Sequence, residues 1–296
     1  MNTFEKILVI ALFVFFPINL VAQPYKGEKA DVNIDGNINV LDIIVIANHM
    51  LGIDTLNGQE LWRADCNSHK GSCRGDGSVG ILDARKIVNI IIGFDECPEL
   101  LTDIDGNVYE TVKIGNQFWM AENLKVTHYS NGETIPNVTD NTEWVNLTTG
   151  AYCNYNNDEM KVAIYGRLYN WFTVSDGRSI APEGWHVPSD IEWKMLIDYL
   201  GGSSVAGGKM KERGTSHWFS PNTGATNESG FSALPGGYRN DRSGFFSSLS
   251  RNATFWSSTE TNNPDGWSRR LSYSISRVDR HFYNKHSGFS VRCVRD

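Results

Sequence analysis

The chain has 296 residues, of which 40% are hydrophobic and 11% are aromatic, and its formal net charge at pH 7 is −7. An acidic chain repels the phosphate backbone, which excludes a general nucleic-acid binder, while the apolar content is sufficient for a packed core. About 200 residues follow position 98, which is the size of one ordinary domain.

The first residues are typical of a secretory signal. Lys6 precedes an apolar run over 7–22, which Gln23-Pro24-Tyr25-Lys26 ends abruptly. The run is too short for a stable membrane span, and Leu20-Val21-Ala22 fits a cleavage site. We therefore expect a signal peptide over 1–22 and a secreted product, extracellular or associated with the cell surface, with no membrane span. The alternative is that this segment is retained as an anchor.

A calcium loop is predicted over 31–42. Side-chain oxygens stand at loop positions 1, 3, 5, 9 and 12, and Gly36 stands at position 6, where the chain must turn sharply. This spacing lets twelve consecutive residues converge on one hard cation. The last ligand is an Asp where a bidentate Glu is usual. The expected metal-site residues are Asp31, Asn33, Asp35, Asn37, Asn39 and Asp42.

A second copy of this loop follows at an offset of 41 residues, so that Asp35-Gly36 recurs as Asp76-Gly77. Seven extra residues interrupt its start. Two calcium ions are therefore expected. The alternative is that these Asp-, Asn- and Gly-rich segments are ordinary turns. The expected metal-site residues of the second copy are Asp65, Asn67, Asp76, Ser78 and Asp83.

The chain has five cysteines, an odd number. Cys66 and Cys73 flank the interruption of the second loop, and a disulfide between them would pinch it into a side loop. Cys97, Cys153 and Cys293 then compete. A bond between Cys153 and Cys293 would tie the early part of the large domain to its last strand, leaving Cys97 as the candidate free thiol. Sequence alone leaves the connectivity open.

Two calcium loops in tandem, each followed by an apolar stretch that ends near a Gly, resemble a dockerin module over about 26–98. The resemblance implies a small all-α, EF-hand-like unit that needs Ca²⁺ and binds a cohesin-bearing scaffold protein. It also implies a cellulosome-like setting of polysaccharide degradation. Val40-Leu41 and Ile81-Leu82 stand where the best-known cellulosomal dockerins often have Ser-Thr, so the docking face should be more apolar.

The second domain begins near residue 101 with short alternating strands around Asp105-Gly106 and Gly115-Asn116, both of which are hairpin-turn signals. One helix is strongly signalled. Ser189 and Glu192 form a capping box, an apolar face follows, and Gly201-Gly202 ends the helix. Later segments are rich in Gly, Ser, Asn and aromatic residues, with strand-like pieces at 255–258, 267–273 and 289–294. This pattern predicts an α+β domain dominated by loops.

Four motifs stand out in this domain. They are Trp119-Met-Ala-Glu-Asn-Leu124, Gly184-Trp-His-Val-Pro-Ser189, Leu234-Pro-Gly-Gly-Tyr-Arg239 and Gly288-Phe-Ser-Val-Arg-Cys-Val294. These motifs closely resemble the Fibrobacter major paralogous domain family, over about 101–296. The resemblance implies a C-type-lectin-like fold related to formylglycine-generating enzymes. The expected fold class is therefore a small all-α calcium-loop module plus an α+β C-type-lectin-like domain rich in loops.

An enzyme is the less favoured class for this domain. A copper oxidase of the related branch would need two nearby thiols, and only Cys293 lies in the C-terminal third. A glycoside hydrolase would need two carboxylates across a bond. His186, between Trp185 and Val187-Pro188, is interpreted as a structural histidine. The candidate carboxylates, which nothing in the sequence pairs, are Glu122, Glu192, Glu228 and Glu260.

A binding role is favoured because the C-terminal region is dense in residues that offer adaptable hydrogen bonds and flat stacking surfaces. It also resembles the variable regions of diversified lectin-fold proteins. Asn263-Pro264-Asp265 is similar to a lectin calcium triplet but is also an ordinary turn. The expected ligand face consists of Arg239, Asn240, Ser272, Ser274, Arg277, Asp279, His281 and Tyr283.

The sequence therefore predicts a secreted, calcium-dependent docking protein that displays a non-catalytic, lectin-like binding domain with no catalytic residues. Its expected partners are a cohesin-bearing scaffold and a polysaccharide or protein ligand. Two alternatives stay open. Residues 101–296 could be an enzyme of unknown chemistry delivered by the same module, or an adhesin that recognises protein through a diversified face.

Overall fold

The computed structural model describes residues 30–34, 37–53, 55, 84, 87, 101–262 and 264–296. The chain divides into two compact units, residues 1–99 and 100–296. Several predictions concern positions outside the described residues: the signal peptide over 1–22, the ligand Asp35 and the ligands of the second loop. The cysteines Cys66, Cys73 and Cys97 also lie outside them.

Helix α1 (Val40–Met50) is the described helix of the first unit. Asn39 caps it by accepting a hydrogen bond from the Leu41 backbone N–H at 2.8 Å. Asp42 completes a capping box by accepting from the Asn39 N–H, also at 2.8 Å. The helix buries Ile43 and Ile46 in an apolar cluster. The other buried members of this cluster are Ala30, Val32, Ile38, Ala84 and Ile87.

The second unit is built from strands. Their bounds, within the described residues, are β1 (Leu101–Thr102), β2 (Val108–Tyr109), β3 (Thr111–Ile114), β4 (Gln117–Met120), β5 (Tyr152–Cys153), β6 (Leu168–Tyr169), β7 (Trp185–His186), β8 (Gly236–Arg239), β9 (Phe246–Leu249), β10 (Asn252–Asn262), β11 (Asp265–Ser272), β12 (Val278–Asn284) and β13 (Val294–Arg295).

Two larger sheets organise these strands. One has four strands in the order β3-β4-β13-β7, and the other has five strands in the order β12-β11-β10-β8-β9. All pairs in both sheets are antiparallel except β10 with β8. Two small hairpin-like pairs, β1-β2 and β5-β6, complete the set. The predicted turns at Asp105-Gly106 and Gly115-Asn116 are confirmed, because they join β1 to β2 and β3 to β4.

The helices of the second unit are short. The longest, α5, confirms the predicted capping box: Ser189 Oγ accepts from the Glu192 N–H, and Glu192 Oε2 accepts from the Ser189 N–H at 2.7 Å. Gly201 and Gly202 end it with φ of +99° and +91°. The bounds are α2 (Asn141–Val145), α3 (Val162–Tyr165), α4 (Trp171–Val174), α5 (Asp190–Tyr199) and α6 (Ser203–Met210), with 3₁₀ turns at Tyr155–Asn157 and Glu159–Lys161.

The core of the second unit has three apolar clusters. The first surrounds Tyr169, Trp256 and Phe289, and the second packs α5 and α6 against the β10–β11 pair through Trp193 and Phe255. A third, smaller cluster forms around Trp144. Each cluster joins segments far apart in the chain, so the domain is held together by long-range contacts.

The expected fold class is wrong. Over the described residues the protein is mostly β-sheet with short helices, and no small all-α module is evident there. In the first unit, Asn39 caps the start of α1, which is eleven residues long. The Ser- and Asn-rich segment after residue 250, where we expected short strands at 255–258 and 267–273 among loops, pairs into the longer strands β10, β11 and β12. Pairing with a neighbouring strand overrides a weak apolar alternation.

Each helix in the described ranges is too short or too polar to cross a lipid bilayer.

Candidate functional site

Arg292 is buried at the junction of the two larger sheets, with no exposed surface. Its guanidinium stacks on the Phe231 ring, 4.6 Å from the centroid. Burial lowers the pKa of this arginine to about 9. Because its acceptors come from two segments that are distant in sequence, 120–123 and 231–232, it acts as a clamp. They are Met120 O (2.8 Å), Asn123 Oδ1 (2.6 Å), Phe231 O (2.7 Å) and Ser232 O (3.1 Å).

Arg239 forms a second clamp of the same kind. It is fully buried, and its guanidinium lies between the rings of Trp144 and Phe246, at 4.5 and 4.9 Å. We expected Arg239 on the ligand face, but the structure places it in the interior. Buried backbone carbonyls attract its donors inward. Its acceptors are Val138 O, Thr139 O, Asp140 O, Asn141 Oδ1 and Gly244 O, at 2.6–3.0 Å.

The motifs that carry the family resemblance therefore build the scaffold. Trp119, from the first motif, packs on Trp193 with ring centroids 4.8 Å apart. Phe289, from the last motif, packs on Trp256 at 4.4 Å. Asn123 both accepts from Arg292 and donates to Tyr165 O at 2.7 Å. A binding surface must be sought outside these motifs.

His186 bridges two carboxylates, as expected for a structural histidine. Its Nδ1 lies 2.6 Å from Asp296 Oδ1, and its Nε2 lies 2.7 Å from Glu192 Oε1. Partial burial would lower the pKa of His186, but the hydrogen bonds to Asp296 and Glu192 outweigh it and raise the pKa. His186 therefore links Asp296 to Glu192, in the first turn of α5.

We expect this bridge to make stability pH-dependent. A histidine whose folded pKa is raised stabilises the fold fully below its unfolded value near 6.5, and the contribution is lost as pH rises through the folded pKa. Because the side chain is 38% exposed, we expect less than about 1 kcal/mol. Thermal melts between pH 5.5 and 8.5 should show His186→Gln losing stability at low pH but not at high pH. Parallel curves for both proteins would contradict this role.

A polar surface runs along β11 and β12. We define the ladder face as Arg270, Arg277, Asp279, His281 and Tyr283. Arg270 lies opposite Asp279 in the antiparallel register, and the alternate residues of β12 share its side of the sheet. Strand pairing brings these side chains together, and none of them belongs to the four family motifs that build the scaffold.

Asp279 is the hub of the ladder face. Its side chain is 9% exposed; Oδ1 lies 2.5 Å from Arg277 Nε, and Oδ2 lies 3.1 Å from Arg270 Nη2. His281 Nε2 lies 4.0 Å from Oδ2, and Arg270 Nη1 lies 3.5 Å from the Tyr283 hydroxyl. The hub fixes the orientation of the longer side chains, which remain partly exposed.

The opposite side of the same hairpin is anchored to α5. Asp190 Oδ1 accepts from Arg269 Nη1 at 2.7 Å and from Arg280 Nε at 3.0 Å. Arg280 also stacks on Trp267, 3.2 Å from the ring centroid. Together these arginines lower the pKa of Asp190 against the effect of its burial. The hairpin is therefore held rigidly from behind.

A groove of about 770 Å³ adjoins the ladder face, and Tyr283 belongs to both. Polar, charged and aromatic side chains alternate around it, which is the composition of a site that hydrogen-bonds and stacks on a ligand. The residues that line it are Val145, Asn240, Asp241, Arg242, Pro264, Asp265, Phe282, Tyr283, Asn284 and His286.

The remaining predicted ligand-face residues lie at the edges of this surface. Asn240 lines the groove, although its side-chain oxygen also accepts from Ser243 and from the Arg242 N–H at 3.0 Å. Ser272, the last residue of β11, and Ser274 form a mutual hydroxyl contact of 3.1 Å. Four of the expected ligand-face residues therefore lie together with Arg270 on the ladder face, and Asn240 lines the groove. Arg239 is buried and does not belong to this surface.

The candidate hydrolase carboxylates are not brought together as a catalytic pair. Each is engaged in a different ion pair or cap. Glu192 caps α5. The others pair with different lysines: Glu122 with Lys125 (2.7 Å), Glu228 with Lys209 (2.9 Å) and Glu260 with Lys285.

The predicted calcium loop over 31–42 is described except for Asp35 and Gly36. Asp42 is fully buried, and it accepts from the N–H groups of Val32 (2.7 Å), Asn33 (3.1 Å) and Asn39 (2.8 Å). Asp31 is also buried. Burial raises the pKa of Asp42 despite these hydrogen bonds, and the charge of Asp31 adds to the rise. Two adjacent buried carboxylates fit a bound cation, which would relieve their repulsion.

In the described part of the chain, no three His, Cys, Asp or Glu side chains form a metal-binding cluster. The predicted set in this loop also relies on the amide side chains of Asn33, Asn37 and Asn39.

The suggested Cys153–Cys293 disulfide is not formed, since both cysteines are free thiols in the interior. Cys153 packs in the Trp144 cluster, whereas Cys293 packs in the large cluster around Tyr169. Burial raises the pKa of Cys153 to about 12 and raises that of Cys293 further. The two thiols contribute to apolar packing instead of crosslinking the domain.

Sequence reasoning missed Lys211, which is fully buried at the end of α6. Its ammonium donates to the carbonyl oxygens of Thr223 (3.0 Å), Ser272 (2.9 Å) and Ile275 (2.9 Å). Burial lowers the pKa of this lysine to about 8. Lys211 therefore holds the turn between β11 and β12. Nothing in the sequence around Lys209-Met210-Lys211 distinguishes this buried lysine from an exposed one.

The fold and site define a β-rich domain with a clamped interior and an exposed polar strand surface. Residues 112–295 match the Fibrobacter succinogenes major domain family. Because the match covers more than half of the 296 residues, the chain belongs to this family, which confirms that part of the predicted resemblance. No curated protein and no solved structure matches the chain.

Proposed function

We propose that residues 101–296 form a non-catalytic glycan-binding domain whose ligand contacts the ladder face and the adjoining groove. The observation that carries this proposal is the Asp279 hub. It orients two arginines and a histidine on paired strands, next to a groove lined by Tyr283 and Phe282. Rigid polar groups beside aromatic rings are suited to binding the hydroxyl groups and ring faces of sugars without catalysing a reaction.

A glycan array and a hydrolase screen on the full chain test this function. We expect saturable binding to one or more glycans with no release of product. The variant His281→Ala combined with Arg277→Ala should lose binding while keeping the wild-type melting temperature, because both side chains are exposed. Turnover of a glycan would contradict the proposal and favour an enzyme. Glycan-independent binding to protein would favour an adhesin.

We further propose that the loop over 31–42 binds calcium and orders a docking segment for a cohesin-type partner, in a secreted polysaccharide-degrading assembly. The burial of two carboxylates in this loop, those of Asp31 and Asp42, supports the proposal that it binds a cation. Three apolar side chains on α1, Val40, Leu41 and Ile44, are 38–50% exposed, which supports an apolar docking face.

Asp42→Ala should abolish calcium binding at this loop. It also leaves three backbone N–H groups without their acceptor, which should destabilise the first unit by about 1–2 kcal/mol even without calcium. Calorimetry with CaCl₂ and thermal melts measure both effects. The matched control is Asp103→Ala, which removes a buried turn carboxylate from the second unit. Equal calcium uptake by wild type and Asp42→Ala would contradict the assignment.

A further inference from the structure

We propose that the ladder face is a subsite for an anionic substituent, so that the ligand is an acidic polysaccharide bearing carboxylate or sulfate groups. This inference rests on the glycan-binding function proposed above and specifies its ligand class.

The fixed charges of the ladder face do not cancel. Arg270 and Arg277 carry two positive charges against the single carboxylate of Asp279, which leaves a net charge of +1 before His281 is counted. The carboxylate is also the least accessible member, at 9% exposed, whereas the side chains of Arg277, His281 and Arg270 are 62%, 45% and 32% exposed. Solvent therefore meets the cationic groups first.

Asp279 orients these two arginines but leaves most of their N–H donors available to a ligand. It engages Arg277 through Nε, and it engages Arg270 through one terminal nitrogen. A guanidinium has five N–H donors, and an anion with two oxygens on one atom, such as a carboxylate or a sulfate, accepts two of them in parallel. An arginine already held by a buried carboxylate loses little conformational entropy when such an anion binds.

The groove differs from the ladder face in charge. Asp241 and Asp265 there carry two negative charges against the single positive charge of Arg242, with Asn284 and His286 beside them. This mixture suits hydroxyl groups and does not favour an anion. From Arg277 to Tyr283 is six strand steps of about 3.3 Å, or about 20 Å. The surface therefore fits an extended chain that directs an acidic group to the ladder face and neutral hydroxyls to the groove.

The test compares matched ligands that differ only in charge, using the full chain and titration calorimetry. The carboxylate arm uses polygalacturonate and its methyl-esterified form, and the sulfate arm uses a sulfated galactan and its desulfated form. We expect at least one acidic ligand to bind about tenfold or more tightly than its neutral counterpart, and its affinity to fall as NaCl is raised. The arm that shows the difference identifies the anion.

Arg277→Gln should weaken acidic-ligand binding about tenfold and leave the neutral form unaffected. The matched control is Arg295→Gln, an exposed arginine in the four-stranded sheet, which should change neither. Equal binding of both forms of each pair, or an unchanged affinity in Arg277→Gln, would overturn the anionic subsite while the glycan-binding function stands. Failure of all four ligands, together with an empty glycan array, would overturn both.

Discussion

Arg292→Met is expected to destabilise the second unit by about 3–5 kcal/mol, the largest effect of any substitution considered. The methionine keeps an apolar stem near Phe231 but removes the guanidinium donor from four oxygen acceptors, three of them in buried hydrogen bonds. Each orphaned acceptor costs about 1–3 kcal/mol. Removing one buried charge offsets part of this cost, since no carboxylate bonds the guanidinium within the described residues. For a domain of this size the melting temperature should fall by about 10 °C.

The matched control for this prediction is Arg295→Met, three residues further on. Arg295 is exposed and stacks on Phe118, 3.8 Å from the ring centroid. Its replacement should cost less than about 1 kcal/mol. Denaturant unfolding monitored by tryptophan fluorescence measures both variants. Equal stabilities of Arg292→Met and Arg295→Met would show that the buried clamp does not hold the domain together.

Lys211→Met should destabilise the same unit by about 2–4 kcal/mol. The ammonium satisfies three backbone carbonyls, of which Ser272 O and Ile275 O belong to the turn leading into β12. Without the ammonium these partly buried carbonyls lose their donor. Lys211→Arg should not rescue the protein, because the larger guanidinium must enter a site shaped for an ammonium.

Lys209→Met, two residues earlier on α6, is the matched control. Its side chain is 34% exposed and pairs with Glu228 at 2.9 Å, an interaction worth less than about 1 kcal/mol. Chemical denaturation of both variants separates the roles. A Lys211→Met protein as stable as Lys209→Met would mean that water or a local rearrangement satisfies the three carbonyls.

Local signals in the sequence predicted local structure. The Ser189–Glu192 capping box and the glycines at 201 and 202 predicted α5 within a few residues, because a helix is specified by neighbours three and four positions apart. The turns at Asp105-Gly106 and Gly115-Asn116 also predicted the β1–β2 and β3–β4 pairs. These elements need no information from distant parts of the chain.

Long-range structure was harder to predict. Strands β10 and β11 were anticipated only in pieces, and residues 289–294 were expected to form one strand, whereas β13 is only Val294–Arg295. Strand limits depend on which partner supplies hydrogen bonds, and the partners of β13, which are β4 and β7, lie more than 100 residues away in sequence. The same reason explains the fold-class error.

The candidate site was predicted in part. The composition of the C-terminal region and its resemblance to diversified lectin-fold proteins placed Asp279, His281 and Tyr283 on one ligand face, without predicting a strand there. The structure gathers them around Arg270 on paired strands. Arg239 was misplaced because an arginine in a polar stretch gives no sign of burial. Its position is decided by carbonyl groups near residue 139, about 100 residues away.

Hydrogen exchange of the full chain, with and without a glycan that binds on the array, tests the central claim most directly. If the scaffold is built by the family motifs and the ligand binds the strand surface beside them, amides of Asp265–Ser272 and Val278–Asn284 should gain protection. Amides of Thr111–Met120 should be unchanged. Protection confined to Thr111–Met120, with none in β11 and β12, would contradict the account.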